Sequence, residues 1–109
     1  MTRSRRSCLF LWLVLALFTS VASAQDGSFT RNGVQLFYRT SGTGTPVVLL
    51  SGGPGFTVDY MIAVAEFLPA SYQRIFYEQR ATGRSRLEMT AGNMTLQQVV
   101  ADLDALRVH

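Results

Sequence analysis

The stretch Val47-Val48-Leu49-Leu50-Ser51-Gly52-Gly53-Pro54-Gly55 decides the fold. Its first four residues are a short apolar run bounded by turn residues, the pattern of a strand buried on both faces in a parallel sheet. The run empties into glycines and a proline, which punctuate regular structure. Ligands of open parallel sheets bind outside the carboxyl ends of the strands. The loop from Gly52 to Gly55 stands in that place.

Downstream, Asp59 to Leu68 (DYMIAVAEFL) predicts a helix with Met61, Val64, Ala65 and Leu68 on one apolar face, stopped by Pro69. Arg74 to Glu78 predicts a second strand. The loop Gln79 to Ser85 then leaves that strand on the same sheet edge as the glycine loop, so the two loops are expected to be neighbours. Thr95-Leu96-Gln97-Gln98 fits a capping box, in which Thr95 accepts from a backbone N–H and Gln98 reaches back. Leu96, Val99, Val100, Leu103 and Leu106 continue at amphipathic helical spacing. Upstream, Ser28 to Arg31 and Val34 to Arg39 flank Asn32-Gly33, whose residues tolerate the positive φ of a tight hairpin turn. They predict two edge-type antiparallel strands, with a loop from Ser41 to Pro46 after them.

The order is hairpin, buried strand, helix, strand, helix. Alternating strands and helices imply an α/β domain: a mostly parallel sheet with helices on its faces, joined by right-handed crossovers. No strand receives the last helix, and two buried strands with a hairpin would leave apolar faces and edges open. The chain is therefore expected to be cut before its domain is complete.

The N-terminus has a separate purpose. Arg3, Arg5 and Arg6 precede an unbroken apolar run from Cys8 to Phe18, and Ala22-Ser23-Ala24 supplies the small-x-small pattern of a signal-peptidase site. A membrane anchor is the rival reading, but a spanning helix needs about 20 apolar residues, and Thr19 and Ser20 already dilute the run. Residues 1–24 are expected to be a cleaved signal peptide, and the product periplasmic or secreted. Ser4-Arg5-Arg6 also hints at twin-arginine export, although paired arginines are commoner in general secretory signals.

From Gln25 to His109 the chain holds seven arginines, no lysine and seven acids, so the formal +3 resides wholly in the leader. A basic surface for nucleic acid or an acidic membrane has no support. With no cysteine after Cys8 and one histidine, His109, neither a disulfide framework nor a thiolate or histidine metal site is expected.

Glycines let a backbone turn sharply and approach a substrate, and a backbone N–H exposed there can stabilise a developing oxyanion. A plain structural turn is the alternative for Gly52 to Gly55. VVLLSGGPG (47–55) together with EQRATGRS (78–85) resembles the proline iminopeptidase branch of the α/β-hydrolases, whose members show H-G-G-P-G after the third strand and D-Q-R-G-x-G-x-S after the fourth. The helix TLQQVVADLDALR (95–107) resembles the segment preceding their nucleophile strand. The likeness covers residues 28–109 and implies that residues 25–109 are the N-terminal part of an α/β-hydrolase domain. Ser51 replaces the family's histidine, Glu78 its aspartate and Ala81 a glycine. Serine and glutamate keep a hydrogen-bonding group at each place, whereas Ala81 adds a methyl where a positive φ would make it awkward.

The resemblance implies that Gly53 donates an oxyanion-hole N–H and that Gly52, Pro54 and Gly55 line the substrate. It places the second donor, the nucleophile elbow, the acid and the base beyond His109, in the order Ser…Asp/Glu…His. Ser41, Ser85 and His109 are accordingly not triad members. The implied activity of the complete protein is that of a serine aminopeptidase acting on small peptides through an acyl-enzyme, with no metal or organic cofactor. An esterase or epoxide hydrolase on the same scaffold is the alternative, since fold does not fix substrate. A non-catalytic truncated product is another. Arg80, Arg84 and Arg86 are expected to pair with the nearby Glu78 and Glu88 or to face solvent. Tyr38, Tyr60, Tyr72 and Tyr77 read as packing residues. Asn93-Met94-Thr95 matches a glycosylation sequon, but Thr95 is better explained as a helix cap.

Overall fold

The computed structural model describes residues 23–52 and 55–109. The expected signal peptide therefore lies almost wholly outside the described residues, as do Gly53 and Pro54. The elements in chain order are β1 (Gln25–Arg31), β2 (Val34–Ser41), β3 (Thr45–Leu50), a 3-10 turn (Val58–Tyr60), α1 (Met61–Ala65), β4 (Tyr72–Glu78) and α2 (Leu96–Val108). The four strands form one mixed sheet in the order β1-β2-β4-β3.

β1 and β2 pair antiparallel, from Gln25 opposite Thr40 to Arg31 opposite Val34. Asn32 and Gly33 between them take φ of 49° and 77°, the two positive values that a primed turn requires. β2 then pairs antiparallel with β4, and only β3 and β4 run parallel. Two expectations are corrected here. The sheet is mixed rather than mostly parallel among the described residues, and β2 is an inner strand rather than an edge one.

Each sheet face carries one helical segment. On one face Leu49 and Phe76 pack with Val58 and Ala65, flanked by Met61 and Leu68. On the other, Leu36 and Tyr77 pack against Leu106 of α2, with Phe29, Val34, Tyr38, Ile75 and Leu103 around them. Burying each such aliphatic side chain contributes roughly 1.5–3 kcal/mol.

The apolar-face expectations need adjustment. The first helix spans Met61–Ala65 after a 3-10 turn rather than reaching Leu68, and Val64 is exposed. β3 begins at Thr45, so Pro46 lies inside a strand. It is tolerated there because β3 is an edge strand, where a missing N–H costs nothing on the open side. For the same reason β3 is not buried on both faces: Val48 and Leu50 are 37% and 40% exposed. On α2, Leu96 and Val100 face solvent, and Asp102 and Leu106 occupy the buried side. No helix among the described residues is long and apolar enough to cross a membrane.

Candidate functional site

Because β3 and β4 run parallel with Leu50 opposite Tyr77, both chains leave the sheet at the same edge. The structure joins them there. The Gln79 side-chain amide donates to the Ser51 carbonyl at 2.8 Å and approaches its Oγ at 3.4 Å. Ser51 is buried, so the hydroxyl that stands in the family's histidine position faces β4 and not solvent. One residue on, the Gly52 N–H donates to the Tyr60 hydroxyl. Gly52, Phe56 and Tyr60 border a hollow of about 330 Å³ beside the loop. Gly55 has φ of 102°. Gly53 and Pro54, the expected oxyanion donor and its neighbour, lie outside the described residues. A larger hollow of about 660 Å³ lies on the face of the sheet that carries α1, lined by Arg39, Phe76, Glu78 and Arg84 among others.

The second loop is stiffened by its own side chains. Thr82 Oγ1 donates to the Gln79 carbonyl at 2.5 Å, and the Thr82 N–H donates to the same oxygen at 3.0 Å. Ser85 is fully buried, and its Oγ accepts the Phe37 N–H at 2.9 Å and donates to the Glu78 carbonyl at 2.6 Å. This hydroxyl pins the loop to β2 and β4 and has no freedom to attack anything. Glu78 accepts from Arg84 Nε at 2.8 Å, which keeps the pairing expected for that arginine, and Arg84 also reaches Asp26 at 3.3 Å. Its guanidinium stacks 5.1 Å above the Phe37 ring. Ala81 has φ of 62°, so its methyl sits on a left-handed backbone, the awkward case that the sequence raises. Gly83 has φ of 51°, which favours glycine, and a Cβ there would require the Glu78 carboxylate to shift.

Arg80 departs from expectation. It pairs with Asp102, remote in sequence, and not with Glu78, Glu88 or solvent. Its Nε and Nη2 donate to the two Asp102 oxygens at 2.5 and 2.9 Å, while Nη1 donates to the Asn93 carbonyl and to Gln98 Oε1 at 2.5 Å each. Arg31 adds a third bond to Asp102 at 2.8 Å. Both Arg80 and Asp102 are buried, and the hydrogen bonds that Arg80 donates to the carboxylate raise its pKa above its ordinary value. Gln98 is thereby diverted from the second half of the capping box. Thr95 still accepts the Gln98 N–H at 3.3 Å, as expected of an N-cap. The cluster locks the root of the second loop to α2 and to the end of β1. A fork-to-carboxylate pair between residues far apart leaves no spacing signal, which is why it is invisible in the sequence.

Two tyrosines also differ from simple packing. Tyr60 is half-exposed and supplies the acceptor for Gly52. Tyr77 is buried, its hydroxyl has no partner among the described residues, and burial pushes its pKa up. His109 stacks on Phe29 at 5.4 Å and meets Tyr38 edge-on at 5.7 Å.

No family model matches the chain. Curated proteins do. The chain is 33% identical over 97 residues to a proline iminopeptidase of Xanthomonas citri, covering 85% of this chain and 30% of that protein. It is 31% identical over 78 residues to one from Saccharolobus solfataricus, covering 69% of this chain and 25% of the relative. With one from Xylella fastidiosa strain 9a5c it shares 38% over 77 residues, covering 68% and 24%. The chain thus spans 24–30% of the length of these relatives.

Proposed function

This chain belongs to the proline iminopeptidase-like α/β-hydrolases, and from that premise we propose that the complete protein is an exported serine hydrolase releasing N-terminal proline, or a similar residue, from small peptides. The observation that carries the reading is the junction of the two loops at the sheet edge, where Gln79 bonds Ser51 at the root of the glycine loop. That is the place an oxyanion site needs, outside the carboxyl ends of two neighbouring parallel strands.

In this reading Gly53 provides one oxyanion donor, and Gly52, Pro54 and Gly55 border the substrate. The nucleophile, the acid, the base and the second donor belong to chain beyond His109. The edge position of β3, beyond which no strand pairs among the described residues, supports further sheet being added there. The 109-residue chain by itself is inactive, because it holds half an oxyanion hole and no triad. Export rests on the leader, whose apolar run and small-residue site precede Gln25, the first residue of β1. The mature domain engages neither membrane nor nucleic acid.

Sequencing the coding DNA through and past codon 109 tests this. The frame is expected to continue into a strand and a G-x-S-x-G elbow. An aspartate in the elbow's nucleophile position would turn the reading to epoxide opening, and a genuine stop codon would end it.

A further inference from the structure

Gln25 opens β1, and the small-residue site of the leader ends one residue before it, at Ala24. Both residues are exposed, and β1 lies at the edge of the sheet. The Gln25 backbone is held: it stands opposite Thr40, whose hydroxyl donates to the Gln25 carbonyl at 3.5 Å. Its side-chain amide, by contrast, makes no hydrogen bond among the described residues. The next residue carries the ties of this end of the strand. Asp26 accepts from Arg39 of β2 at 2.8 Å and pairs with Arg84 of the second loop at 3.3 Å. Cleavage after Ala24 turns the Gln25 nitrogen from an amide into an amine, whose ordinary pKa of about 8 leaves a nucleophilic share at neutral pH. The unheld side chain can then bring its own Cδ against that nitrogen, an intramolecular approach that needs no second reactant.

We propose that Gln25 is a modification site: the exported protein closes its N-terminal glutamine into a pyroglutamate ring, which seals the start of β1. The inference rests on the export reading above, with cleavage after Ala24. In the step, the α-nitrogen attacks Cδ and a C–N bond forms. The Cδ–Nε2 bond breaks, and the departing nitrogen leaves as ammonia, carrying a proton from the amine. The lactam nitrogen keeps one N–H and the Gln25 carbonyl is untouched, so the pairing with Thr40 survives. What disappears is the terminal positive charge. Peptidases that grip a free α-amine, the class of activity proposed for this protein, then have no handle on its own N-terminus. Trimming from that end would remove Gln25 and then Asp26, the residue that ties β1 to Arg39 and Arg84. The ring protects that tie.

Mass spectrometry of the complete protein, expressed with its own leader in a bacterial host and digested with trypsin, tests this. The N-terminal peptide is expected to be Gln25–Arg31 (QDGSFTR), lighter by one ammonia in the greater part of the molecules. A synthetic QDGSFTR peptide carried through the same handling is expected to keep its full mass. Gln25→Asn retains an amide but is one methylene too short to close an unstrained lactam. That variant is expected to hold its full mass and to lose its first residue to an added aminopeptidase that leaves the wild type intact. A peptide that begins at unmodified Gln25, or one cyclised no more than the synthetic control, overturns the ring and leaves export standing. A peptide that begins at any other residue overturns cleavage after Ala24, and the ring falls with it.

Discussion

Ala81 is the residue at which this chain departs from its family with a measurable consequence. Its φ of 62° places an alanine in the left-handed region, which costs a residue bearing Cβ about 1–2 kcal/mol. Ala81→Gly removes that cost and gives back part of it as unfolded-chain entropy. The expected outcome is a gain of about 1 kcal/mol in denaturant unfolding. A loss of stability would mean that the methyl packs to an advantage larger than the strain. Glu78 and Ser51, the other two departures, keep polar groups and use them differently. Glu78 binds Arg84 within the loop, whereas Ser51 presents its carbonyl and Oγ to Gln79. The two loops meet through the Gln79 bond to Ser51.

Among the elements, α2 shows most clearly what can and cannot be read from sequence. Thr95 as N-cap is legible because capping is local: one side chain, one N–H, three residues apart. The buried stripe is not, since an apolar pattern through Leu96 and Val100 cannot anticipate that Asp102 is fully buried. Asp102 goes inside because Arg80 and Arg31, brought by β4 and β1, supply three donors to it. The same limit applies to β3. Its apolar run correctly marks a strand of the parallel pair, but whether both faces are covered depends on neighbours that the run does not name. The contrast of two aspartates on one helix tests the cluster. Asp102→Ala leaves buried guanidinium without its partner and is expected to cost about 3–5 kcal/mol. Asp104→Ala, which removes an exposed pair with Arg107, is expected to cost less than about 1 kcal/mol. Denaturant midpoints of the two variants give the comparison, and equal costs would contradict a buried ionic lock.

Across the whole molecule, the sheet divides the work between its two faces and its one chemical edge. α1 covers one face through Phe76 and Leu49, and α2 covers the other through Tyr77 and Leu36. The edge at the ends of β3 and β4 gathers Ser51, Gly52, Tyr60 and Gln79. The chemistry proposed for that edge is acyl transfer from an N-terminal residue by the complete protein. The most direct measurement is release of the arylamine from a proline arylamide by the purified complete protein, with and without a fluorophosphonate that captures activated serine. Turnover that the fluorophosphonate abolishes is the expected result. Absence of arylamide turnover from a folded complete protein that instead hydrolyses simple esters or opens epoxides would contradict the aminopeptidase assignment while leaving the fold untouched.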